Sequence, residues 1–173
     1  MVVVPALPVA ALVVGAMWLM MLVELQLSSF NDRQLRARGA VEPPDDVLPL
    51  MRVAYPCVFL LMGLEAALHG SIARDLVVTG LVLLGAVKAF KFWTLASLGV
   101  RWTYRVLVLR DAPLVTAGPY RYIRHPNYVA VMGEIVAVAI ALAAPVAGVI
   151  GAVGFGWLLR RRIAVEERAL GLR

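Results

Sequence analysis

The chain is poor in the residues that build metal and redox sites. It has one cysteine and two histidines among 173 residues. Cys57 lies in an apolar run, so no disulfide can close within the chain and no Cys-x-x-Cys motif exists. His69 and His125 fall on opposite sides of a membrane by the span count below, which excludes a two-histidine metal site; no metal is expected. Charged residues make up only 16% of the chain, well below the quarter or so of ordinary soluble domains. No Gly-x-Gly-x-x-Gly fingerprint, no repeat of 20–50 residues and no low-complexity tract occurs. Acidic residues are the scarcer sign, 11 against 17 basic, giving a net charge of +6. Such a charge suits nucleic acid, but the arginines flank apolar runs, so anionic lipid and topology account for them and no nucleic-acid partner is expected.

What the chain has instead is length without charge. Hydrophobic residues reach 62%, and mean hydropathy is +0.84, so the expected class is an all-α integral membrane protein with the bilayer as its solvent. Val2 to Val23 carries no charge and would span about 33 Å as a helix. It has no basic leader and no small-residue cleavage site, so it is expected to be retained rather than removed as a signal peptide. Glu24 ends that run. Ser28 to Asp46 is polar and contains Pro43-Pro44, which predicts a loop with a short interfacial helix from Asn31 to Arg38 stopped at Gly39. Met51 to His69 and Leu76 to Leu98 are further spans; Arg52 and Glu65 snorkel near the ends of one, and Lys88 and Lys91 share a face of the other. Arg101 to Tyr122 is an arginine-rich connection, re-entrant or on the surface.

Tyr128 to Leu159 holds a single charge, Glu134, and as one helix would measure about 48 Å, too long for one crossing. Pro145 lies mid-way, which predicts two short tilted helices joined at Ala144-Pro145; a single bent helix is the alternative. Gly148, Gly151, Gly154 and Gly156 read as small-residue packing in the last helix. About five spans then place every basic residue but Arg74 on one side, Arg110 and Arg173 included. Positive-inside bias makes that side cytoplasmic and the N-terminus external. The chain reads as a single domain, 1–173, with three N-terminal spans in 1–97 and the chemistry in 98–173.

The chemistry-bearing stretch is Gly118 to Glu134, beginning Gly-Pro-Tyr-Arg-Tyr-Ile-Arg-His-Pro-Asn-Tyr. Pro126 biases His125 away from helical dihedrals while opening a helix itself. His125 therefore sits on irregular backbone at a helix N-terminus, where free N–H groups favour an anion. A plain proline-stopped, basic juxtamembrane loop is the structural alternative. Tyr120 and Tyr122 read as interfacial belt residues, and Trp93 and Trp102 as anchors. Glu134, inside a span, is either a structural partner of Lys88 or Lys91 or a ligand for a cofactor cation or substrate hydroxyl. Arg162 and Glu166 are four apart on one helical face, with Glu167 about 100° round; taken alone this is an ordinary surface pair.

Gly-Pro-Tyr-Arg-Tyr-x-Arg-His-Pro-x-Tyr followed by Arg-x-x-x-Glu-Glu at Arg162 to Glu167 resembles the isoprenylcysteine carboxyl methyltransferase superfamily, integral-membrane enzymes that use S-adenosylmethionine. The likeness covers roughly Leu98 to the C-terminus. It implies a cofactor pocket at the cytoplasmic face beside the C-terminal helical hairpin, with Tyr120, Arg124, His125, Pro126, Tyr128 and Glu167 at the cofactor. It also implies Arg162, Glu166 and Glu134 as catalytic residues, the arginine holding an acidic substrate oxygen. Asn31-Asp32-Arg33, Gly39 to Glu42 and Glu134 resemble a bacterial subgroup that methylates alkylpyrones and alkylresorcinols. Where the protein-methylating relatives carry a histidine before Leu-Val-Thr, this chain reads Asp111-Ala112-Pro113-Leu114-Val115-Thr116. The expectation is an O-methyltransferase acting on a lipophilic small molecule in the membrane, in the bacterial inner membrane. Carboxyl methylation of prenylcysteine, an NADPH-dependent membrane reductase and a non-enzymatic scaffold or small transporter are the competing readings.

The topology is directly testable. In a Cys57→Ser background, Ala112→Cys and Gly171→Cys should both resist an impermeant thiol reagent added outside; labelling of only one of them would remove the C-terminal hairpin.

Overall fold

A computed structural model describes residues 2–44, 46–109 and 112–172. Arg110, Asp111 and Arg173, used above in the charge count and in the comparison with protein-methylating relatives, lie outside the described residues. The fold is all-α and integral to the membrane. Its helices are α1 (Ala6–Ala37), α2 (Leu48–His69), α3 (Arg74–Leu98), α4 (Pro126–Ala141) and α5 (Pro145–Ala169). The first three are long and apolar enough to cross a bilayer, and α4 is a shorter apolar helix. The side chains of Leu12, Val82 and Val153 stand fully out from the bundle, as a lipid-facing surface requires. Inside, α2 packs against α1, α4 and α5, and α3 lies along α4. Phe59, Met62, Met17, Ile135 and Leu142 fill the shared core.

One expectation is corrected at α1. The helix does not stop before Ser28; it continues to Ala37 and absorbs the interfacial helix expected at Asn31 to Arg38. The reason is a polar face with helical spacing. Ser28, Asn31 and Leu35 recur every three or four residues and are all buried. The Asn31 amide donates to the Trp102 carbonyl at 2.8 Å, and Ser28 Oγ accepts the Tyr104 N–H at 2.8 Å. These polar residues therefore dock the segment that follows α3, rather than marking a solvated loop. Gly39, with φ of +83°, ends the run as expected.

Two short backbone pairings hold the ends of the bundle. The strand β1 (Val3–Pro5) pairs antiparallel with β2 (Ser71–Ala73), where a turn alone was expected after α2. At the other end Val41 and Val108 form an isolated bridge through bonds of 2.9 and 3.0 Å, tying the α1–α2 connection to the α3–α4 connection. Glu42 sits beside that bridge, bonded by Arg36 and by Arg105 at 2.7 Å. Partial burial works against its charge, but the two guanidinium groups outweigh this and hold the carboxyl below its usual range.

The break at Pro145 is present. Leu142 to Ala144 turns the chain between α4 and α5, with Ala143 at φ of +47°. Glu65 of α2 caps the start of α5 by accepting the N–H groups of Val146 at 3.1 Å and Ala147 at 2.6 Å. Of the glycine series, Gly148 and Gly151 are packed against Ala139 and Val58, whereas Gly154 faces open space. The tightest approach to backbone lies elsewhere: a Cβ on Gly80 would come within 2.3 Å of the Ala141 backbone nitrogen.

That contact sets how closely α3 and α4 approach. Gly80→Val should destabilise the protein by about 1–3 kcal/mol through overpacking, read as a lower thermal midpoint in detergent. Gly85→Val, at a glycine with open space around it, should leave the midpoint unchanged.

Candidate active site

The site forms where the start of α4 meets the last turns of α5. Pro126 is the first residue of α4, and His125 precedes it with φ −128° and ψ 62°, outside the helical region as its proline neighbour requires. The His125 ring stacks on Tyr128 with centroids 5.6 Å apart. Its Nε2 lies 3.2 Å from Glu167 Oε1 and its Nδ1 lies 3.7 Å from Glu166 Oε2. The Tyr128 hydroxyl donates to Glu166 Oε2 at 2.7 Å. Two adjacent carboxylates thus reach one imidazole because the ring lies between them and offers a nitrogen to each.

Arg162 is buried and fixed at both ends of its guanidinium. It donates to the Asp46 carboxylate and to the Tyr104 carbonyl. Asp46 also accepts the Leu48 N–H at 3.1 Å, so one carboxylate caps the start of α2 and anchors α5. The i,i+4 partnership of Arg162 with Glu166 gives way to a long-range ion pair.

Two cavities meet here. The larger, about 420 Å³, runs between α1 and α2 and is walled by Trp18, Leu22, Leu25, Met51, Pro56 and Phe155. Its size suits a small ligand, and Trp18, Leu22 and Leu25 are also exposed on the outer surface of the bundle. The smaller, about 100 Å³, is lined by Tyr120, His125, Glu166, Arg101 and Arg105 with Leu98 and Leu107. Trp102, Thr103, Asn127, Tyr128 and Arg162 line both. The Tyr120 hydroxyl is held un-ionised by burial and by the Glu166 charge. Asn127 Oδ1 is buried with no hydrogen-bond partner among the described residues, an acceptor that a ligand's donor could complete.

Glu134 is fully buried on α4 in a cluster of opposite charges. Lys88 Nζ is 2.8 Å and Lys91 Nζ 3.3 Å from its Oε1, and the Tyr55 hydroxyl donates to Oε2. Lys91 also contacts Glu24 at 2.8 Å, and Glu24 Oε2 accepts the Tyr104 hydroxyl at 3.1 Å. Lys91, Glu24, Tyr55 and Tyr104 line the larger cavity; Glu134 stands behind them.

Of the residues singled out in the sequence, His125, Pro126, Tyr128, Glu166 and Glu167 are brought together at the start of α4. Tyr120 and Arg162 line the same polar cavity. Arg124 is exposed and lines neither cavity, and Glu134 lines neither but contacts Lys91 and Tyr55, which line the larger. Tyr122 and Trp93 are exposed, in keeping with an interfacial belt. Trp102 is not a surface anchor: it is buried against Tyr104 with ring centroids 5.4 Å apart. Asp46, Glu24, Tyr55 and Tyr104 were not recognised as site residues. Glu24 left a trace, a carboxylate directly after a long apolar run; the others left none.

Comparison with known proteins identifies a family. The model of the "Isoprenylcysteine carboxyl methyltransferase (ICMT) family" matches residues 78–171, more than half of the chain and from within α3 onward. The chain is 27% identical over 147 residues to the "Uncharacterized protein YpbQ" of Bacillus subtilis (strain 168), covering 85% of this chain and 88% of that protein. It is 23% identical over 147 residues to an "Uncharacterized protein" of Haemophilus influenzae, covering 84% and 86%. No solved structure matches.

The Arg162–Asp46 pair generates a stability prediction. Arg162→Met leaves the Asp46 carboxylate with its strongest partner gone and should cost roughly 3–5 kcal/mol. Adding Asp46→Asn should recover part of that loss, because the stranded charge is removed. Thermal unfolding of the single and double variants measures both effects.

Proposed function

The chain belongs to the isoprenylcysteine carboxyl methyltransferase family, a family of membrane methyltransferases, and on that premise we propose that it is an S-adenosylmethionine-dependent O-methyltransferase acting on a hydroxyl or carboxyl of a long-chain lipid. The observation that carries this reading is the junction of a polar cavity at His125 and Glu166 with an apolar cavity at the lipid-facing edge of α1 and α2, through the shared residues Tyr128 and Arg162. We read the chain as one domain in which 1–97 frames the lipid cavity and 98–173 carries the cofactor and catalytic groups. The arginine-rich side faces the cytoplasm of a bacterial inner membrane, with the N-terminus outside.

The donor set fits the cofactor's chemistry. Glu166 and Glu167 offer carboxylates to its cationic groups, with His125 and Tyr128 fixing their positions. The N-terminus of α4 suits its carboxylate, and Leu98, Val106 and Leu107 supply an apolar wall for its base. Tyr120 and Pro126 complete the cofactor set, with Arg124 at its exposed rim. When bound, S-adenosylmethionine supplies an electrophilic methyl, so a carbon–sulfur bond breaks as a carbon–oxygen bond forms and the acceptor's proton departs. The chain's part is placement. Arg162 has five donors, and its bonds to Asp46 and the Tyr104 carbonyl hold it rigid while leaving other N–H groups for the acceptor oxygen. Its charge favours the ionised acceptor, and an apolar surround keeps water away, so orientation matters more than a strong base. Glu134 acts from behind, by holding Lys91 and Tyr55 at the cavity wall.

The test has two arms. Calorimetric titration with S-adenosylhomocysteine and with NADPH should show binding of the first alone. His125→Ala and Glu167→Gln should each weaken it about tenfold or more, since each loses a charge-assisted hydrogen bond worth about 1.5–3 kcal/mol. Radiolabelled S-adenosylmethionine is then offered with an alkylpyrone, an alkylresorcinol, phosphatidylethanolamine and a farnesylcysteine analogue, and the first two should label. Labelling of farnesylcysteine instead returns the acceptor to a prenylcysteine carboxylate; labelling of phosphatidylethanolamine moves it to nitrogen.

A further inference from the structure

The charges around the larger cavity do not balance. Among the described residues, the charged side chains that line it are Glu24, Lys91, Arg162 and Arg52. Lys91 is matched by Glu24 at 2.8 Å and by Glu134 at 3.3 Å, and Arg162 is matched by Asp46. Arg52 makes no hydrogen bond or ion pair among the described residues. Its charge reaches Asp32, but that carboxylate has Arg105 at 3.5 Å instead. Arg52 lies about one turn inside α2, after Leu48, on the arginine-rich side of the bundle. Glu65, toward the other end of the same helix, turns onto α5, whereas Arg52 stays exposed. A charge on a membrane span with no partner in the protein calls for one from outside it.

The surroundings of Arg52 define that partner. Met51, Leu25, Leu22 and Trp18 share the cavity wall with it, and the last three are also exposed on the outer surface of the bundle. Guanidinium pairs with an oxyanion through parallel N–H bonds, and phosphate is a preferred match. The anion that a bilayer supplies beside its hydrocarbon, on the arginine-rich side, is lipid phosphate. A zwitterionic headgroup brings its own ammonium, so an unmatched arginine favours a headgroup of net negative charge. We propose that this face is a binding site for an anionic phospholipid, with its phosphate on Arg52 and one acyl chain in the cavity between α1 and α2. Free phosphate offers the same oxygens but nothing to fill an apolar cavity of about 420 Å³. The site does not depend on methyl transfer; on the function proposed above, the phospholipid is the occupant that a lipophilic acceptor displaces.

Native mass spectrometry of the full chain, released from detergent with added phosphatidylglycerol or phosphatidylcholine of matched chains, counts and ranks the bound lipids. The wild type should hold one phosphatidylglycerol about tenfold more tightly than phosphatidylcholine, the scale of a charge-assisted hydrogen bond. Arg52→Gln, a change at an exposed side chain, should bring the two lipids to within about twofold. Arg33→Gln, at an arginine exposed near the same end of the bundle and lining neither cavity, should keep the preference. Inorganic phosphate at millimolar concentration should not displace the lipid. Chain placement is read separately. Phosphatidylglycerol brominated at mid-chain, added at the concentration that half-fills the site, should quench Trp18 emission, measured as the difference from Trp18→Phe. Equal retention of the two lipids by the wild type, or a preference that survives Arg52→Gln, overturns the headgroup site. Loss of the preference in Arg33→Gln as well overturns it in favour of diffuse surface charge. Displacement by inorganic phosphate overturns the lipid as ligand, and absence of Trp18 quenching overturns the seat of the chain between α1 and α2.

Discussion

A bilayer has no water to offer a charge, so every ionised side chain among these helices must find its partner within the protein. That single constraint organises the bundle. It draws Lys88 and Lys91 of α3 toward Glu134 of α4 and Glu24 of α1. It seats Arg162 of α5 on Asp46 at the start of α2, and it turns Glu65 of α2 onto the exposed N–H groups of α5. One set of links ties α3 to α1 and α4, the other ties α2 to α5, and the Tyr55 hydroxyl of α2, donating to Glu134 of α4, joins the two sets. Apolar packing fills the space between these links but does not choose among arrangements, because lipid tails are as apolar as the core.

The two cavities follow from the same division. One belongs to the membrane: it lies between α1 and α2 and is walled by Trp18, Leu22, Pro56 and Phe155. The other belongs to the aqueous edge, formed by the chain after α3, the start of α4 and the end of α5. Trp102, Thr103, Asn127, Tyr128 and Arg162 form the partition between them. On the function proposed above, a lipophilic acceptor and a polar donor would each arrive from the phase in which it dissolves.

Much of this was legible in the sequence where the signal is local. Pro126 fixes the irregular backbone at His125, Pro145 breaks a run too long for one crossing, and Gly39 stops α1; all three are properties of one residue and its neighbours. The clustering of His125 with Glu166 and Glu167 was accessible only through resemblance, since 42 positions separate His125 from Glu167. What was not legible is long-range pairing. Arg162 has a plausible local partner four residues away, yet binds Asp46, 116 positions earlier. Ser28 and Asn31 looked like loop residues because their polarity is visible in sequence and their acceptor and donor on the chain after α3 are not. Trp102, placed at a span end, resembles an interfacial anchor, and only the fold turns it inward.

The charge cluster also bears on how the protein is made. Lys88 and Lys91 leave the ribosome before Glu134, which follows Lys91 by 43 positions, whereas Glu24 precedes Lys91 by 67. When α3 reaches the bilayer, α1 is already in place, and its Glu24 is the carboxylate at hand to neutralise an arriving lysine. The α4–α5 hairpin then delivers the second carboxylate and closes the bundle around it. The carboxylate of α1 that pairs with Lys91 in the finished protein is thus also the first one available to it during synthesis, so its removal would be felt in biogenesis.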